Sequence, residues 1–185
     1  MNALPTALIL ASGRGERFLA SGGQTHKLKA LLSGKPVLQH VIDAVQASGL
    51  PFRVEDMGHP GMGDSVAAAV RATPGAAGWL VLPGDLPLIQ PATLQTLATA
   101  LMQGGASFEV VIPVCQGLRG HPVGFSAVCR EALMALTGSQ GAASVVKKFR
   151  VLEVAVADVG CITDIDTVDE LARAQTLLDA RAVKS

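Results

Sequence analysis

Aromatic residues are scarce in this sequence: they make up 3% of its 185 residues, and tyrosine is absent. Proteins that hold single-stranded nucleic acid stack its bases on aromatic rings, so the composition argues against such a platform. Neither sign of charge is in excess, because 15 basic and 15 acidic residues cancel. Nucleic acids and anionic membrane surfaces attract proteins with a basic excess. We therefore expect neither nucleic acid nor a membrane as a partner.

Long apolar runs and paired cysteines are also missing. No stretch reaches the roughly 20 consecutive apolar residues of a membrane span, and the first residues lack the basic start and cleavage site of a signal peptide. The three cysteines, Cys115, Cys129 and Cys161, form no C-x-x-C pair. This usage argues against a disulfide framework and against a cysteine zinc site. Together these absences predict a cytoplasmic protein.

What the sequence does contain is an alternation of strand and helix patterns, in a chain that is 49% hydrophobic. Short apolar runs predict strands at 6–10, 79–82, 109–114, 123–125 and 151–156. Apolar residues at helical spacing predict helices at 36–48, 91–102, 127–136 and 168–180, and a further helix that Asp64 or Ser65 caps. The alternation predicts one domain, residues 1–185, with three α/β/α layers and a mostly parallel sheet.

Three loops follow predicted strands, and ligands of such sheets bind outside the carboxyl ends of the strands. The loops are Ser12–Lys27, Gly84–Pro87 and Gln116–His121. Because parallel strands end at the same edge of the sheet, we expect these loops to meet. The chemistry of the protein is predicted to lie there.

The first of these loops is rich in glycine and in basic residues. Residues 12–18 read S-G-R-G-E-R-F, and the first 30 residues hold four bases and one acid. Glycines let backbone N–H groups approach an anion, which favours phosphate binding. An ordinary strand-to-helix turn with solvated arginines explains the loop equally well. Two common motifs are excluded, since Phe18 replaces the third glycine of the dinucleotide fingerprint and Pro36 follows Gly34-Lys35 where a P-loop needs Ser or Thr.

Carboxylates follow the predicted strands at two places. Asp85 comes directly after an apolar strand, where it is well placed to hold Mg²⁺, although Asp-x-Pro is also ordinary turn sequence. Asp164 and Asp166 have the same parity in an extended stretch, so both can point to one side. One of them is a candidate second metal ligand, and Asp166 or Thr167 is a candidate cap of the last helix.

Four blocks of this sequence resemble the MobA-like nucleotidyltransferase family, and the most similar branch is the molybdenum cofactor cytidylyltransferases. The blocks are L-A-S-G-R-G-E-R-F at 10–18 with Lys27, G-M-G-D-S-V at 61–66, G-D-L-P at 84–87, and R-G-H-P-V-G-F at 119–125. The stretch D-I-D-T at 164–167 resembles the closing motif of the family. The likeness spans nearly the whole chain in the family's order.

The resemblance implies a Rossmann-like nucleotidyltransferase fold and a reaction. A nucleotidyl group, CMP from CTP, would pass to a phosphate of molybdopterin or its molybdenum-loaded form, and pyrophosphate would leave. The implied cofactor is Mg²⁺, and a molybdoenzyme or its chaperone is an implied partner. A sugar- or alditol-phosphate acceptor remains an alternative.

The resemblance also implies a role for each matching residue. The expected catalytic residues are Lys27, Arg17 and Asp85. The expected nucleotide-binding residues are Ala11, Ser12, Gly13, Arg14, Gly15, Gly63 and Ser65. The expected acceptor-binding residues are Arg119 and His121. The expected Mg²⁺ ligands are Asp85, Asp166 and Asp164.

Two other classes of function stay open at this stage. Only about eight residues separate the 36–48 helix from the loop at Asp56, where family members usually carry a further strand, helix and strand. That shortening is compatible with a non-catalytic relative that binds nucleotide or molybdopterin. The block G-D-S-V at 63–66 resembles the nucleophile block of G-D-S-L hydrolases, for which His59 or His121 would be the base. A serine-reactive phosphonate would inhibit such a hydrolase and not a nucleotidyltransferase.

Overall fold

The computed structural model describes residues 4–183, and in this range a seven-stranded sheet carries helices on both faces. The strands are β1 (Thr6–Leu10), β2 (Leu31–Leu32), β3 (Lys35–Pro36), β4 (Phe52–Glu55), β5 (Gly78–Pro83), β6 (Val110–Cys115), β7 (Leu118–Arg119), β8 (Val123–Ser126) and β9 (Val151–Ala155). The α-helices are α1 (Glu16–Ala20), α2 (Val37–Ser48), α3 (Met62–Arg71), α4 (Pro91–Gln103), α5 (Arg130–Met134), α6 (Ala143–Val146) and α7 (Val168–Ala182). Short 3-10 helices lie at Lys27–Lys29, Ala127–Cys129 and Val159–Ile162.

The main sheet is mixed but mostly parallel. Its order is β4-β1-β5-β8-β6-β7, with β9 paired to β6. Strands β4, β1, β5, β6 and β9 run in one direction, whereas β8 and β7 run against it. Strands β2 and β3 form a separate small hairpin. The predicted mostly parallel sheet is confirmed.

Apolar side chains from both faces of the sheet form separate cores. On one face Ile9 and Leu82 pack with Val41 of α2 and Leu94 of α4. On the other face Leu8 and Trp79 pack with Val66 of α3 and Leu133 of α5. Strands buried on both faces are typical of a sheet covered by two helical layers. The three-layer prediction is confirmed.

One local prediction is wrong, and another is confirmed only in part. Helix α3 begins at Met62 with Gly61 as its N-cap, so neither Asp64 nor Ser65 caps it. The Asp64 carboxylate instead accepts a hydrogen bond from the Gly138 N–H at 2.9 Å. The predicted helix at 127–136 is a 3-10 turn followed by the short α5.

Three strands end at the same level of the sheet, and this brings their loops together. Leu10 pairs with Glu55 on one side and with Pro83 on the other. The ladders continue one step further, because the Ala11 N–H donates to the Glu55 carbonyl and the Gly84 N–H to the Leu10 carbonyl. The chain therefore leaves β1, β4 and β5 toward one shared edge.

Candidate active site

A cleft of about 760 Å³ opens at this edge of the sheet. All three loops expected there contribute to its wall. The lining residues include Gly13, Arg14, Gly15, Arg17, Lys27, Asp85, Arg119, His121, Asp164 and Asp166. The structure thus brings together residues up to 153 positions apart in the sequence.

The loop after β1 is held in place by His26. The Nδ1 atom of His26 accepts from the Leu28 N–H at 3.3 Å, so the proton of a neutral ring lies on Nε2. That Nε2 lies 2.6 Å from the Gly13 carbonyl and donates to it. Gly15 next to it has φ +66°, a left-handed conformation that favours glycine. His26 therefore ties the glycine-rich loop to the segment that carries Lys27.

The Lys27 ammonium joins two carboxylates in the cleft. Its Nζ lies 2.6 Å from Asp85 Oδ2 and 2.5 Å from Asp166 Oδ1. The side chains of Lys27 and Asp85 are only 13% and 17% exposed, so water screens this pair far less than a surface ion pair. Arg17 adds a fourth charge, because its guanidinium lies 2.5 Å from Asp166 Oδ2. Two cations and two anions thus meet at one point.

Asp166 is positioned by the start of α7. Thr167 caps this helix, and its hydroxyl accepts from the Glu170 N–H at 3.3 Å. The Glu170 carboxylate reaches back and accepts from the Asp166 N–H at 2.8 Å. This arrangement is related to a capping box, except that the Glu170 side chain binds the N–H of the residue before the cap, and it holds Asp166 against the first turn of α7. Of the two predicted caps, Thr167 is the correct one.

Asp85 is tied to the segment that carries Asp166. The Asp85 carbonyl accepts from the Ile165 N–H at 3.0 Å. The second carboxylate oxygen of Asp85, Oδ1, is buried and has no hydrogen-bond partner. A buried acceptor without a partner is costly, and such an atom is often completed by an ion or a ligand.

The electrostatics of the cleft keep its central groups charged. Burial acts to lower the pKa of Lys27, but the carboxylates of Asp85 and Asp166 outweigh it and hold that pKa above its ordinary value. The hydrogen bond from Lys27 lowers the pKa of Asp166. Loss of hydration raises the pKa of Asp164, and the nearby Asp85 and Asp166 add to this effect. Asp164 therefore lies in the field of two neighbouring carboxylates.

The carboxylates fit a hard divalent metal that is shared with a substrate. Within residues 4–183, no three His, Cys, Asp or Glu side chains come together as a ready-made metal site. Mg²⁺ is usually held by one or two carboxylates together with substrate phosphates, so a complete protein cage is not required. The unpartnered Asp85 Oδ1 is the kind of oxygen ligand such an ion takes. Asp85 and Asp166 thus suit a metal that arrives with a phosphate ligand.

A second cavity of about 310 Å³ adjoins the cleft and shares Gly13, Lys27 and Asp85 with it. Ser12 and Ser65 also line it, and their hydroxyl oxygens are 2.6 Å apart. His59, Pro60 and Gly61 of the loop after β4 contribute to the same lining. The cavity thus offers both charged and neutral polar groups to a bound molecule.

Two residues expected at the nucleotide do not line either cavity. The Ala11 N–H is used by the Glu55 carbonyl. Gly63 is buried, and its N–H donates to the Gly138 carbonyl at 2.9 Å. A side chain at Gly63 would meet the Gln140 carbonyl at 2.6 Å. This glycine thus allows α3 to pack against residues 137–140.

The residues expected to bind the acceptor lie on the opposite wall of the cleft. Arg119 on β7 contacts Glu153 of β9 at 2.6 Å, and its side chain is 59% exposed. His121 is exposed, and its N–H donates to the Cys161 carbonyl at 2.8 Å. Loss of hydration lowers the pKa of His121, although Asp85 and Asp164 oppose this effect. His121 therefore presents a mainly neutral ring at pH 7.

The arrangement around Ser65 does not support a hydrolase. Ser65 is 1% exposed, and its hydroxyl contacts Ser12 and the Gly61 carbonyl. His59 directs its Nε2 to the Glu55 carboxylate at 3.0 Å. A serine nucleophile requires a base within hydrogen-bond reach. The described contacts of Ser65 include no such base.

Sequence reasoning missed His26 and the His59–Glu55 pair. His26 directly precedes Lys27 in the sequence, and that adjacency was its only signal. Glu55 is an acid at the end of a strand, like Asp85, but it is 2% exposed. Its position at the end of β4 was therefore a usable signal.

No helix within residues 4–183 has the length and apolarity that crossing a membrane would need.

Comparisons with known proteins find curated relatives of this chain. A curated relative, the bifunctional protein GlmU of Xylella fastidiosa, is 34% identical over 148 residues, which are 68% of this chain and 30% of that protein. The chain thus spans about a third of the length of the curated relatives it matches.

Two solved structures share the fold. Molybdopterin-guanine dinucleotide biosynthesis protein A of Archaeoglobus fulgidus has a TM-score of 0.70 at 18% identity, with 95% of this chain and 99% of that chain covered. The Rv0371c protein of Mycobacterium tuberculosis, solved in complex with manganese, has a TM-score of 0.70 at 22% identity, with 94% and 98% covered. At these identities the likeness concerns the fold.

The sequence profile of one family matches residues 43–154, about three fifths of the chain. This range includes Asp85, Arg119 and His121. The match agrees with the Rossmann-like fold and with the cleft at the ends of the parallel strands. The chain belongs to the family of the MobA-like NTP transferase domain.

Proposed function

We propose that this protein transfers CMP from CTP to a phosphate of a small acceptor, molybdopterin or its molybdenum-loaded form, and releases pyrophosphate. The observation that carries the proposal is the position of Lys27 between Asp85 and Asp166, where the two cavities meet. A cation between two carboxylates beside a glycine-rich loop suits a triphosphate and its metal. The acceptor then occupies the remaining part of the larger cleft.

The reaction exchanges one phosphoanhydride bond for another. An anionic phosphate oxygen of the acceptor attacks the α-phosphorus of CTP, and the bond from the α-phosphorus to the bridging oxygen of pyrophosphate breaks. The attacking oxygen carries no proton that must be removed, so a general base is not needed. The protein contributes positioning and charge stabilisation.

The basic residues divide this work between the phosphates. The backbone N–H groups near Gly13 and Gly15, together with Arg14 and Arg17, hold the leaving β- and γ-phosphates. Lys27 offsets the charge that develops at the α-phosphate in the transition state. Its pKa is raised by Asp85 and Asp166 despite burial, which keeps it a cation at pH 7.

Mg²⁺ is the proposed cofactor, and Asp85 and Asp166 would hold it, with Asp164 as a further candidate. When bound, the ion neutralises phosphate charge and orients the triphosphate. The buried, unpartnered Asp85 Oδ1 supports this assignment. The carboxylates themselves keep Lys27 charged and directed into the cleft.

The far wall of the cleft is the proposed acceptor site. Arg119 is exposed there and supplies a cation for an acceptor phosphate, and the mainly neutral His121 supplies a hydrogen bond. Met62 and Leu118 line the same cleft and are 56% and 60% exposed. Exposed apolar side chains beside a basic residue suit an acceptor with a flat ring and a phosphate.

The proposal extends to the cellular setting of the protein. We infer that residues 1–185 act as one nucleotidyltransferase domain in the cytoplasm. The product would pass to a molybdoenzyme or to its chaperone.

Pyrophosphate release tests this function. The assay combines Mg²⁺, each of the four NTPs in turn and one acceptor, which is molybdopterin cofactor or, in a parallel series, a sugar or alditol phosphate, and the control omits the acceptor. Release that needs the acceptor and is fastest with CTP is the expected result. Release with GTP would keep the chemistry and correct the base, and release only with a sugar or alditol phosphate would correct the acceptor. NTP binding without release with any acceptor would instead identify a non-catalytic relative.

A further inference from the structure

A buried carboxylate lies beside the second cavity and has no part in the reaction described above. Glu55 ends β4 and is 2% exposed. One of its oxygens, Oε2, lies 3.3 Å from Arg53 Nε. The other, Oε1, lies 3.0 Å from His59 Nε2. Burial of a carboxylate is costly unless its oxygens are partnered, and Arg53 and His59 supply these partners.

His59 is the residue through which Glu55 reaches the cavity. His59 lines the 310 Å³ cavity, as do Ser12 and Ser65. The His59 N–H also donates to the Met57 carbonyl at 2.7 Å, which closes a tight turn in the loop after β4. The side chain is 23% exposed, so one part of the ring stays accessible while Glu55 holds the other.

We propose that His59, oriented by Glu55, determines which nucleobase the second cavity accepts, and that it selects a base with an amino group. This inference rests on the proposed function, because it takes the second cavity as the site of the nucleoside. Lys27 and Asp85 belong to both cavities, so a triphosphate at the charged centre places its nucleoside in the second cavity.

The hydrogen-bond chemistry of the ring gives the selection its direction. A carboxylate only accepts, so His59 Nε2 carries the proton that it donates to Glu55. In the neutral ring Nδ1 is then an acceptor, and it is the polar atom left for a ligand. Cytosine presents an amino donor at the position where uracil presents a carbonyl acceptor. His59 Nδ1 therefore attracts cytosine and repels uracil at that position.

Glu55 acts as a positioning residue in this scheme. It fixes which ring nitrogen carries the proton, and it holds the plane of the ring through the 3.0 Å contact. Without the carboxylate the ring is free to present a donor instead of an acceptor. The preference between cytosine and uracil then weakens, although the triphosphate contacts stay intact.

Calorimetric binding of CTP and UTP, with Mg²⁺ and without acceptor at pH 8, tests the inference. The wild type is expected to bind CTP about tenfold more tightly than UTP, the ratio that one well-placed hydrogen bond supplies. In His59→Ala the ratio is expected to fall to about one, mainly through weaker CTP binding. His59→Asn, whose amide oxygen replaces the Nδ1 acceptor, is expected to keep part of the preference.

Two further variants separate the roles of the pair. Glu55→Gln is expected to reduce the CTP preference in the wild-type background and to have no effect on it in the His59→Ala background. His40→Ala is the matched control, because His40 in α2 donates to the Leu32 carbonyl at 2.8 Å and lines neither cavity. It is expected to leave the ratio unchanged.

The outcomes distinguish the inference from the proposed function. If the wild type binds CTP and His59→Ala leaves the CTP-to-UTP ratio unchanged, the inference is wrong and the proposed function stands. An equal loss of CTP and UTP binding in both His59 variants would also overturn it, since a structural role produces that result. A wild type that binds no NTP would overturn the proposed function itself. Thermal melts of each variant identify any that fail to fold.

Discussion

Lys27 Nζ lies 2.6 Å from Asp85 Oδ2, while Asp85 Oδ1 is buried and has no hydrogen-bond partner. One oxygen of the same carboxylate is thus paired with a fixed cation and the other is open. The same ammonium also holds Asp166 at 2.5 Å. Any divalent ion that joins these carboxylates must share them with Lys27. The relationship between Lys27 and Asp85 therefore links metal affinity to the position of the lysine.

The first prediction concerns metal binding without nucleotide. Replacement Lys27→Gln removes the competing positive charge, so the variant is expected to bind Mn²⁺ roughly tenfold more tightly than the wild type. Electron paramagnetic resonance of free Mn²⁺ measures this directly. Asp85→Asn is expected to weaken binding in the same titration. Unchanged Mn²⁺ affinity in Lys27→Gln would mean that the lysine and the metal do not share these carboxylates.

The second prediction concerns catalysis by Asp85. Replacement Asp85→Asn keeps the size of the side chain and the backbone hydrogen bond from Ile165 to the Asp85 carbonyl, which lies at 3.0 Å. Pyrophosphate release is expected to fall by at least about a hundredfold, because an oxygen that contacts the reacting phosphates loses its charge. The melting temperature is expected to stay near that of the wild type.

The matched control for Asp85→Asn is Asp43→Asn, which removes the charge of an exposed partner of Lys35 outside both cavities. Loss of the fold in Asp85→Asn would instead make Asp85 structural.

The third prediction concerns the loop after β1. His26→Ala removes the 2.6 Å contact to the Gly13 carbonyl and the cap of the 3-10 helix that carries Lys27. Loss of a cap costs about 1 kcal/mol, so the KM for the NTP is expected to rise about fivefold. Initial rates of pyrophosphate release at varied NTP give this value. His40→Ala serves as the control, and an unchanged KM in His26→Ala would show that the loop is ordered without this clamp.

The sequence predicted the layers and the shared edge because both follow from local pattern. Apolar runs such as the one at Trp79–Leu82 indicate buried strands, and a loop that follows a parallel strand must lie at the carboxyl edge. The position of Asp85 in the cleft follows from those two rules. The resemblance to the nucleotidyltransferase family supplied the family, which the profile match confirms.

The rest of the site depends on contacts between distant segments, which a local pattern does not contain. Residue 63 must be glycine because a side chain there would meet the backbone of Thr137 and Gln140. The sequence alone does not distinguish this packing role from that of a glycine that approaches a nucleotide. The clamp from His26 to Gly13 spans 13 residues, and the bond from Ile165 to the Asp85 carbonyl joins two loops. The assignment of individual site residues therefore stays a prediction that the variants above test.

The fourth prediction concerns the reactivity of the cysteines, all three of which are buried. Burial raises the pKa of Cys161 to about 12, with a contribution from Asp158, and burial raises the pKa of Cys129 to about 11. A raised pKa disfavours the thiolate, so at pH 8 Cys161 is roughly a thousandfold less ionised than a free thiol. The folded protein is expected to resist iodoacetamide at pH 8, and urea is expected to expose three sites to mass-spectrometric detection. Rapid alkylation of Cys161 in the folded protein would contradict this.

The last prediction concerns Asp158, a buried carboxylate that lines neither cavity. Asp158 is 5% exposed. Near the start of α4 it accepts from the Gln90 N–H at 2.9 Å and from the Thr93 hydroxyl at 2.8 Å. It also accepts from the Gly160 N–H at 2.9 Å and from the Arg181 guanidinium at 3.1 Å. These donors belong to the start of α4, the 3-10 turn and the end of α7, so one carboxylate joins three segments.

Replacement Asp158→Asn removes the charge and turns one acceptor into a donor that faces other donors. Removal of one partner from a buried charged network costs about 3–5 kcal/mol, so the free energy of unfolding is expected to fall by that amount. In urea the midpoint would fall by roughly 1–3 M. Asp179→Asn in α7 removes only an exposed contact with Gln175, and its effect is expected to stay within about 0.5 kcal/mol. Similar urea midpoints for the two variants would show that Asp158 does not hold these segments together.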